Sequence, residues 1–178
     1  WLNKAEGVIF TNWKVGKFPV DVDSIFGQDY GFSNDPSTLV ETYIDKSKKE
    51  IYLKLHLYRV GLTTSDLALI NTQHAQKRLI VADNAEPRLI SELKSKGLNI
   101  VPTIKGADSI KYGIALLQDY DLIIDEDSTD LIKELNNYCW LEKKSETPID
   151  KYNHALDAIR YAVSYQLSNP NKGRYAIR

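Results

Sequence analysis

Apolar positions along the chain change their spacing several times, and each change marks an element. Residues 51–60, IYLKLHLYRV, alternate apolar with polar, the period of a strand with one buried face. Residues 38–45, TLVETYID, are rich in β-branched and aromatic side chains, and with SKKE between the two segments they predict a hairpin. Upstream, VDVDSIFGQDYGF (20–32) carries a short apolar stretch into a glycine-bracketed turn. That predicts a first strand, and strands one to three then form an antiparallel meander.

From residue 63 helices and strands alternate. TTSDLALINTQHAQ (63–76) opens on capping residues and continues with helical spacing. LIVADNAEP (79–87) is an apolar run ending in acids and a proline, the pattern of a buried strand with functional groups at its carboxyl end. RLISELKSKG (88–97) predicts a helix closed by Gly97, NIVPTI (99–104) a strand, and SIKYGIALLQDY (109–120) a helix. LIIDED (122–127) predicts a strand, STDLIKELNNY (128–138) a helix opened by a Ser/Thr cap, and residues 150–167 a last helix. A meander followed by alternating helices and strands predicts an α/β fold, a mixed sheet flanked by helices.

Composition narrows the class without naming a chemistry. The 178 residues are 43% hydrophobic and 26% charged, as in a globular domain rather than a disordered one. The formal net charge of −1, from 23 basic and 24 acidic residues, announces no nucleic-acid or membrane partner, although a local basic patch remains compatible with it. The single cysteine, Cys139, excludes an intramolecular disulfide and a cysteine zinc site, and fits a reducing compartment. No apolar run approaches the roughly 20 residues of a membrane span. There is no internal repeat and no glycine-rich linker, and SNPNKGRYAIR after Leu167 reads as a loose, mildly basic tail.

Three places can carry chemistry. Asp29 ends the first strand between Gly27 and Gly31, which let the backbone turn and let a ligand come close; the alternative is a turn aspartate bonded to local N–H groups. Asp83 follows LIVA at a strand end, where ligands collect in open α/β sheets. Its alternative role, capping the next helix, suits Asn84 or Glu86 better. His154 and Asp157 share a helical face with Ala158, Tyr161 and Tyr165, opposite a greasier face of Ala155, Ile159, Ala162 and Val163. Alone that pair is a polar helix edge. Taken together, three aspartates supplying hard oxygen ligands and one imidazole are the composition that binds Mg²⁺ or Mn²⁺ rather than structural zinc. Carboxylates held close repel one another, and a divalent cation offsets that repulsion.

FGQDYGFSNDP, VADNAEP and YNHALDAIRYAV, in that order, resemble the motifs of the nuclease domain of the large terminase subunit of tailed bacteriophages. The resemblance covers almost the whole chain and implies a ribonuclease H-like fold. It makes Asp29, Asp83 and Asp157 the metal-binding acids of a site for Mg²⁺ or Mn²⁺, as two ions. It places His154 beside the last acid, where it touches metal or the attacking water, and adds Asp150 as a further candidate for the second ion. Asp35 and Pro36 match a turn-forming pair, and Glu86 is a group behind the ligands. Residues 1–19 resemble a linker from a preceding ATPase domain, 20–168 the nuclease and 169–178 a tail, and the absence of methionine fits a C-terminal piece of a longer protein.

The implied activity is metal-dependent cleavage of concatemeric double-stranded viral DNA during packaging, in the cytoplasm of an infected bacterium. The implied partners are double-stranded DNA, the ATPase domain, the portal and the small terminase subunit. Independently of the resemblance, no G-x-x-x-x-G-K-[ST] pattern occurs, so ATP hydrolysis is not expected of this chain. DNA-contact candidates are Lys105 and Lys111 in TIKGADSIKYG, with Arg88 and the hairpin-tip residues Lys46, Lys48 and Lys49. Two other readings stay open: another ribonuclease H-like nuclease, such as a junction resolvase or transposase core, and a docking module whose acids are idle.

Overall fold

The meander expected from residues 20–60 is the centre of the sheet. Strands β2 (Ile25–Asp29), β3 (Ser37–Asp45) and β4 (Glu50–Arg59) pair antiparallel in sequence order. On the β2 side, β5 (Ile80–Ala82) and β6 (Ile100–Pro102) extend the sheet in parallel. On the β4 side, β7 (Asp121–Asp125) and β1 (Trp13–Gly16) do the same. The order β1-β7-β4-β3-β2-β5-β6 leaves every strand except β3 pointing its carboxyl end to one edge. The computed structural model describes residues 6–142 and 144–168; the tail expected over 169–178 lies outside them.

Helices cover both faces. α1 (Thr64–Ala75) and α2 (Pro87–Ser95) enclose one core with Phe26, Leu39, Leu57, Ile80 and Ile100. α3 (Ser109–Gln118), α4 (Thr129–Asn137) and α5 (His154–Ser168) enclose the other with Val40, Ile51, Leu53, Leu122 and Ile124. Burial of each such side chain contributes about 2 kcal/mol, so these two layers outweigh any local propensity. A capping box opens α1: Thr63 Oγ1 accepts from the Asp66 N–H at 3.1 Å while Asp66 Oδ2 accepts from the Thr63 N–H at 2.9 Å.

Within residues 1–19, the segment resembling a linker, β1 hydrogen-bonds in parallel with β7, and Ile9 and Phe10 are buried in the α3–α5 core, Phe10 stacking on Tyr138. A four-residue edge strand is too short to display a period, so its pairing is set by a partner a hundred residues away. A small hairpin of β8 (Trp140–Leu141) and β9 (Lys144–Pro148) precedes the last helix. That helix starts at His154 rather than 150, because Tyr152 has φ +56° and the ladder begins with the Asp157 N–H donating to the Asn153 carbonyl at 2.7 Å.

Candidate metal centre

Sheet register brings the first two acids together. Gln28 on β2 lies opposite Ala82 on β5, and the Asp83 N–H donates to the Gln28 carbonyl at 3.0 Å. Asp29 and Asp83 therefore leave two neighbouring parallel strands at the same edge, both buried. Alternation along β2 sends Phe26, Gln28 and Tyr30 toward α1, where Gln28 exchanges two hydrogen bonds with Asn71. Gly27 and Asp29 face α5. A Cβ on Gly27 would lie 1.9 Å from the Ala158 carbonyl oxygen, so the glycine expected to admit a ligand instead admits a helix. That contact brings Asp157, the residue before Ala158, onto the strand that ends in Asp29.

The first turn of α5 is tied to the same edge. Thr38, the cross-strand partner of Asp29, donates its hydroxyl to the His154 carbonyl at 3.2 Å. His154 Nδ1 stands 3.8 Å from Asp29 Oδ2, and its Nε2 stands 3.7 Å from Asp35 Oδ1. Two turns on, the Tyr161 hydroxyl donates to Asp29 Oδ1 at 3.4 Å. Arg160, buried along α3 at Gly113, donates to Asp157 Oδ1 at 3.2 Å. Lys105, on the loop after β6, puts its ammonium 2.6 Å from Asp83 Oδ1 and 5.3 Å from the Tyr161 ring centre. Asp83 also accepts from the Ala85 N–H at 3.0 Å.

Each acid thus has a protein cation, and the balance is still unfavourable to charge. Burial holds the Asp29 carboxyl above its usual range, and the neighbouring Asp83 charge adds to this against the His154 bond and Lys105. Burial likewise pushes Asp157 up to about 6, with Asp29 adding and Arg160 opposing. His154 is raised in turn, chiefly by its interaction with Asp29 against the effect of burial. The Tyr30 hydroxyl is the one buried side-chain oxygen or nitrogen without a hydrogen-bond partner among the described residues, and it lies in the field of Asp83, Asp29 and Glu86.

The carboxylates of Asp29 and Asp157, whose proton affinity burial raises, and the buried Asp83 beside them are a donor set that fits a hard divalent cation. As they stand, no three His, Cys, Asp or Glu side chains among the described residues gather around one point closely enough to hold an ion. Asp83 is turned to Lys105 and Asp157 to Arg160.

The remaining candidates fall in different places. Asp150 is exposed, accepts from Asn153 at 3.1 Å, and lines with Asp35, Tyr58 and His154 a cleft of about 350 Å³ on the outer side of the imidazole. Glu86 precedes α2 without capping it through its side chain. Lys111 is exposed and paired with Glu146 at 3.0 Å, and Arg88 is exposed in the first turn of α2. Lys46, Lys48 and Lys49 occupy the β3–β4 turn; Lys49 pairs with Asp119 there. Along nine residues of β3, at about 3.3 Å each, that turn is roughly 26 Å from Thr38, at the opposite edge from the acids. Sequence reading missed Glu134, a buried carboxylate on α4 beside the start of α5. Its one signal was a charge on an otherwise apolar helix face, between Leu131 and Leu135.

The arrangement is that of ribonuclease H-like nucleases. A family model described as the terminase ribonuclease H-like domain matches residues 29–165, and the chain belongs to that family. The large terminase subunit of Bacillus phage SPP1 is 35% identical over 173 residues, covering 90% of this chain and 39% of that protein. The PBSX phage terminase large subunit of Bacillus subtilis is 27% identical over 147 residues, covering 77% and 33%. The chain therefore spans about a third to two-fifths of these relatives. Among solved structures, the SPP1 large terminase nuclease domain with bound Mn superposes with a TM-score of 0.78 at 26% identity, over 89% of this chain and 99% of that one. The nuclease domain of the P22 large terminase shares the fold, with a TM-score of 0.75 at 18% identity over 92% and 93%.

Proposed function

We propose that this domain is a divalent-metal-dependent endonuclease that hydrolyses phosphodiester bonds in double-stranded DNA with little sequence preference, cutting concatemeric phage genomes during packaging. One observation carries the reading: Asp29 and Asp83 leave adjacent parallel strands under a helix whose first turn holds His154 and Asp157. Family membership and the Mn in the SPP1 relative support it. Asp29, Asp83 and Asp157 would hold Mg²⁺ or Mn²⁺, with Asp150 a candidate toward a second ion. When bound, such ions supply the positive charge that activates water and stabilises the phosphate as it is attacked.

The chain's own residues do the rest. Buried Arg160 fixes the Asp157 carboxylate, and Tyr161 holds one oxygen of Asp29. His154, its proton affinity raised chiefly by Asp29, stands between Asp29 and Asp35. The Lys105 ammonium, held at Asp83 on the same edge, would meet a phosphate, with Arg88 and Lys111 as outer contacts. In a whole terminase the domain would work beside an ATPase domain, the portal and a small subunit. No helix among the described residues is long and apolar enough to cross a membrane. The test is plasmid nicking in Mg²⁺ or Mn²⁺: nicking that disappears in Asp29→Ala and Asp83→Ala is expected, and undiminished nicking in either would sink the reading.

A further inference from the structure

The N-terminus of α5 is capped from another helix. An α-helix leaves its first N–H groups without partners inside the helix, and ordinarily the side chain just ahead of it supplies the acceptor. Here that side chain, Asn153, donates to Asp150. The acceptor is Glu134 of α4 instead. Its Oε2 accepts from the Ala155 N–H at 3.1 Å and its Oε1 from the Leu156 N–H at 3.0 Å, while the Tyr58 hydroxyl donates to Oε2 at 2.9 Å. Glu134 is 1% exposed. A local Ser or Asn satisfies the same groups without burying a carboxylate, so what this arrangement adds is position: it fixes where α5 begins relative to α4 and β4. Thr38 holds the same turn by the His154 carbonyl. Between these two anchors stand His154 and, one turn on, Asp157.

We infer that Glu134 is a positioning residue of the site, whose carboxylate locks the first turn of α5 and thereby sets His154 against Asp29 and Asp157 beside it. The inference rests on the nuclease reading. Glu134→Gln keeps the shape but turns one acceptor into an N–H donor facing a backbone N–H, so one anchor is lost while the core stays filled. The control is Leu93→Ala on α2, which loosens the opposite layer, a core cluster that no residue of α5 joins.

Three readouts are compared in wild type, Glu134→Gln and Leu93→Ala: amide hydrogen exchange along α5, Mn²⁺ affinity by calorimetry, and the Mn²⁺ concentration giving half-maximal plasmid nicking. Expected for Glu134→Gln is faster exchange at 155–157 than at 159–163, and Mn²⁺ affinity and half-maximal concentration both worse by about tenfold. Leu93→Ala should lower the melting temperature and leave both metal measures within about twofold of wild type. If Glu134→Gln fails to fold, Tyr58→Phe removes one bond from the same carboxylate and should weaken Mn²⁺ binding in the same direction by about twofold to threefold. Wild type that binds Mn²⁺ and nicks DNA, with Glu134→Gln (or its substitute) no weaker in Mn²⁺ than Leu93→Ala, overturns the positioning role alone. Wild type that neither binds Mn²⁺ nor nicks overturns the nuclease reading, and the positioning role with it.

Discussion

Two groups of enclosed acids, one in the middle of the sheet and one where a strand end meets α5, have opposite fates. Glu41, in the middle of β3, accepts from His56 at 2.8 Å, from Arg78 at 2.9 Å and from the Ser24 hydroxyl, so both oxygens are fully engaged. Burial alone would raise its carboxyl, but the His56 and Ser24 bonds with the His56 and Arg78 charges outweigh it, and the group ends below its ordinary value. Asp29 and Asp157 are as well enclosed, yet both end above theirs. Asp29 has only a 3.4 Å hydroxyl and a 3.8 Å imidazole, and faces another carboxylate. A carboxylate whose partners are complete belongs to the architecture, whereas a cluster left short of positive charge is prepared for something the chain does not supply.

The contrast can be broken at either end. Asp29→Ala should lower the nicking rate in Mn²⁺ by at least about a hundredfold while the metal-free melting temperature stays at or above wild type; a melting temperature that drops sharply would place Asp29 with the structural acids. Glu41→Gln should do the opposite, costing about 3 kcal/mol of stability by denaturant titration and leaving the nicking rate of the folded protein unchanged. Because Glu41 is lowered, its contribution is present above the unfolded value of 4.5 and is lost as pH falls through the folded one, so the gap between wild type and variant should narrow in acid.

Asp157→Asn, measured in chelator, should stabilise the protein by roughly 2 kcal/mol near neutral pH. The sign follows from a folded value raised from 3.8 to about 6: wild type suffers no penalty below 3.8, an increasing one between the two values, and the full one above. Equal stability of the two proteins at pH 7 would remove Asp157 from the under-neutralised group. The smallest effect is expected at Lys105. Lys105→Ala removes the ammonium that engages Asp83, so calorimetric Mn²⁺ affinity should rise severalfold as DNA binding at low salt weakens; an unchanged affinity would mean the ammonium does not compete with metal.

How much of this the chain disclosed beforehand depends on distance along it. β5, β7 and the hairpin of β3 and β4 were visible because their apolar runs are local, and so were α1 with its capping box and α4, although the Ser128 hydroxyl expected to cap α4 accepts from the Leu55 N–H instead. Asp29 and Asp83 stood out because strand ends and turn residues are local signals too. β1 did not, since its identity lies in Leu122 to Asp125 opposite it. Gly27 was seen but its use was misread, because nothing near it announces Ala158. Glu134 and the Lys105–Asp83 pair were invisible as a site for the same reason: each is defined by a partner more than twenty residues away. His154 and Asp157 gained meaning only beside the strand-end acids.

The Tyr161–Asp29 bond spans 132 residues, and that separation has a bearing on synthesis. A nascent chain whose last helix is still inside the ribosomal tunnel can already pair β2 with β5 and present Asp29 and Asp83. It has no His154, no Asp157 and no helix to rest on Gly27. The proposed site is therefore completed only when the segment carrying α5 has emerged, and a product truncated before it, however well its sheet folds, lacks half of the proposed ligands.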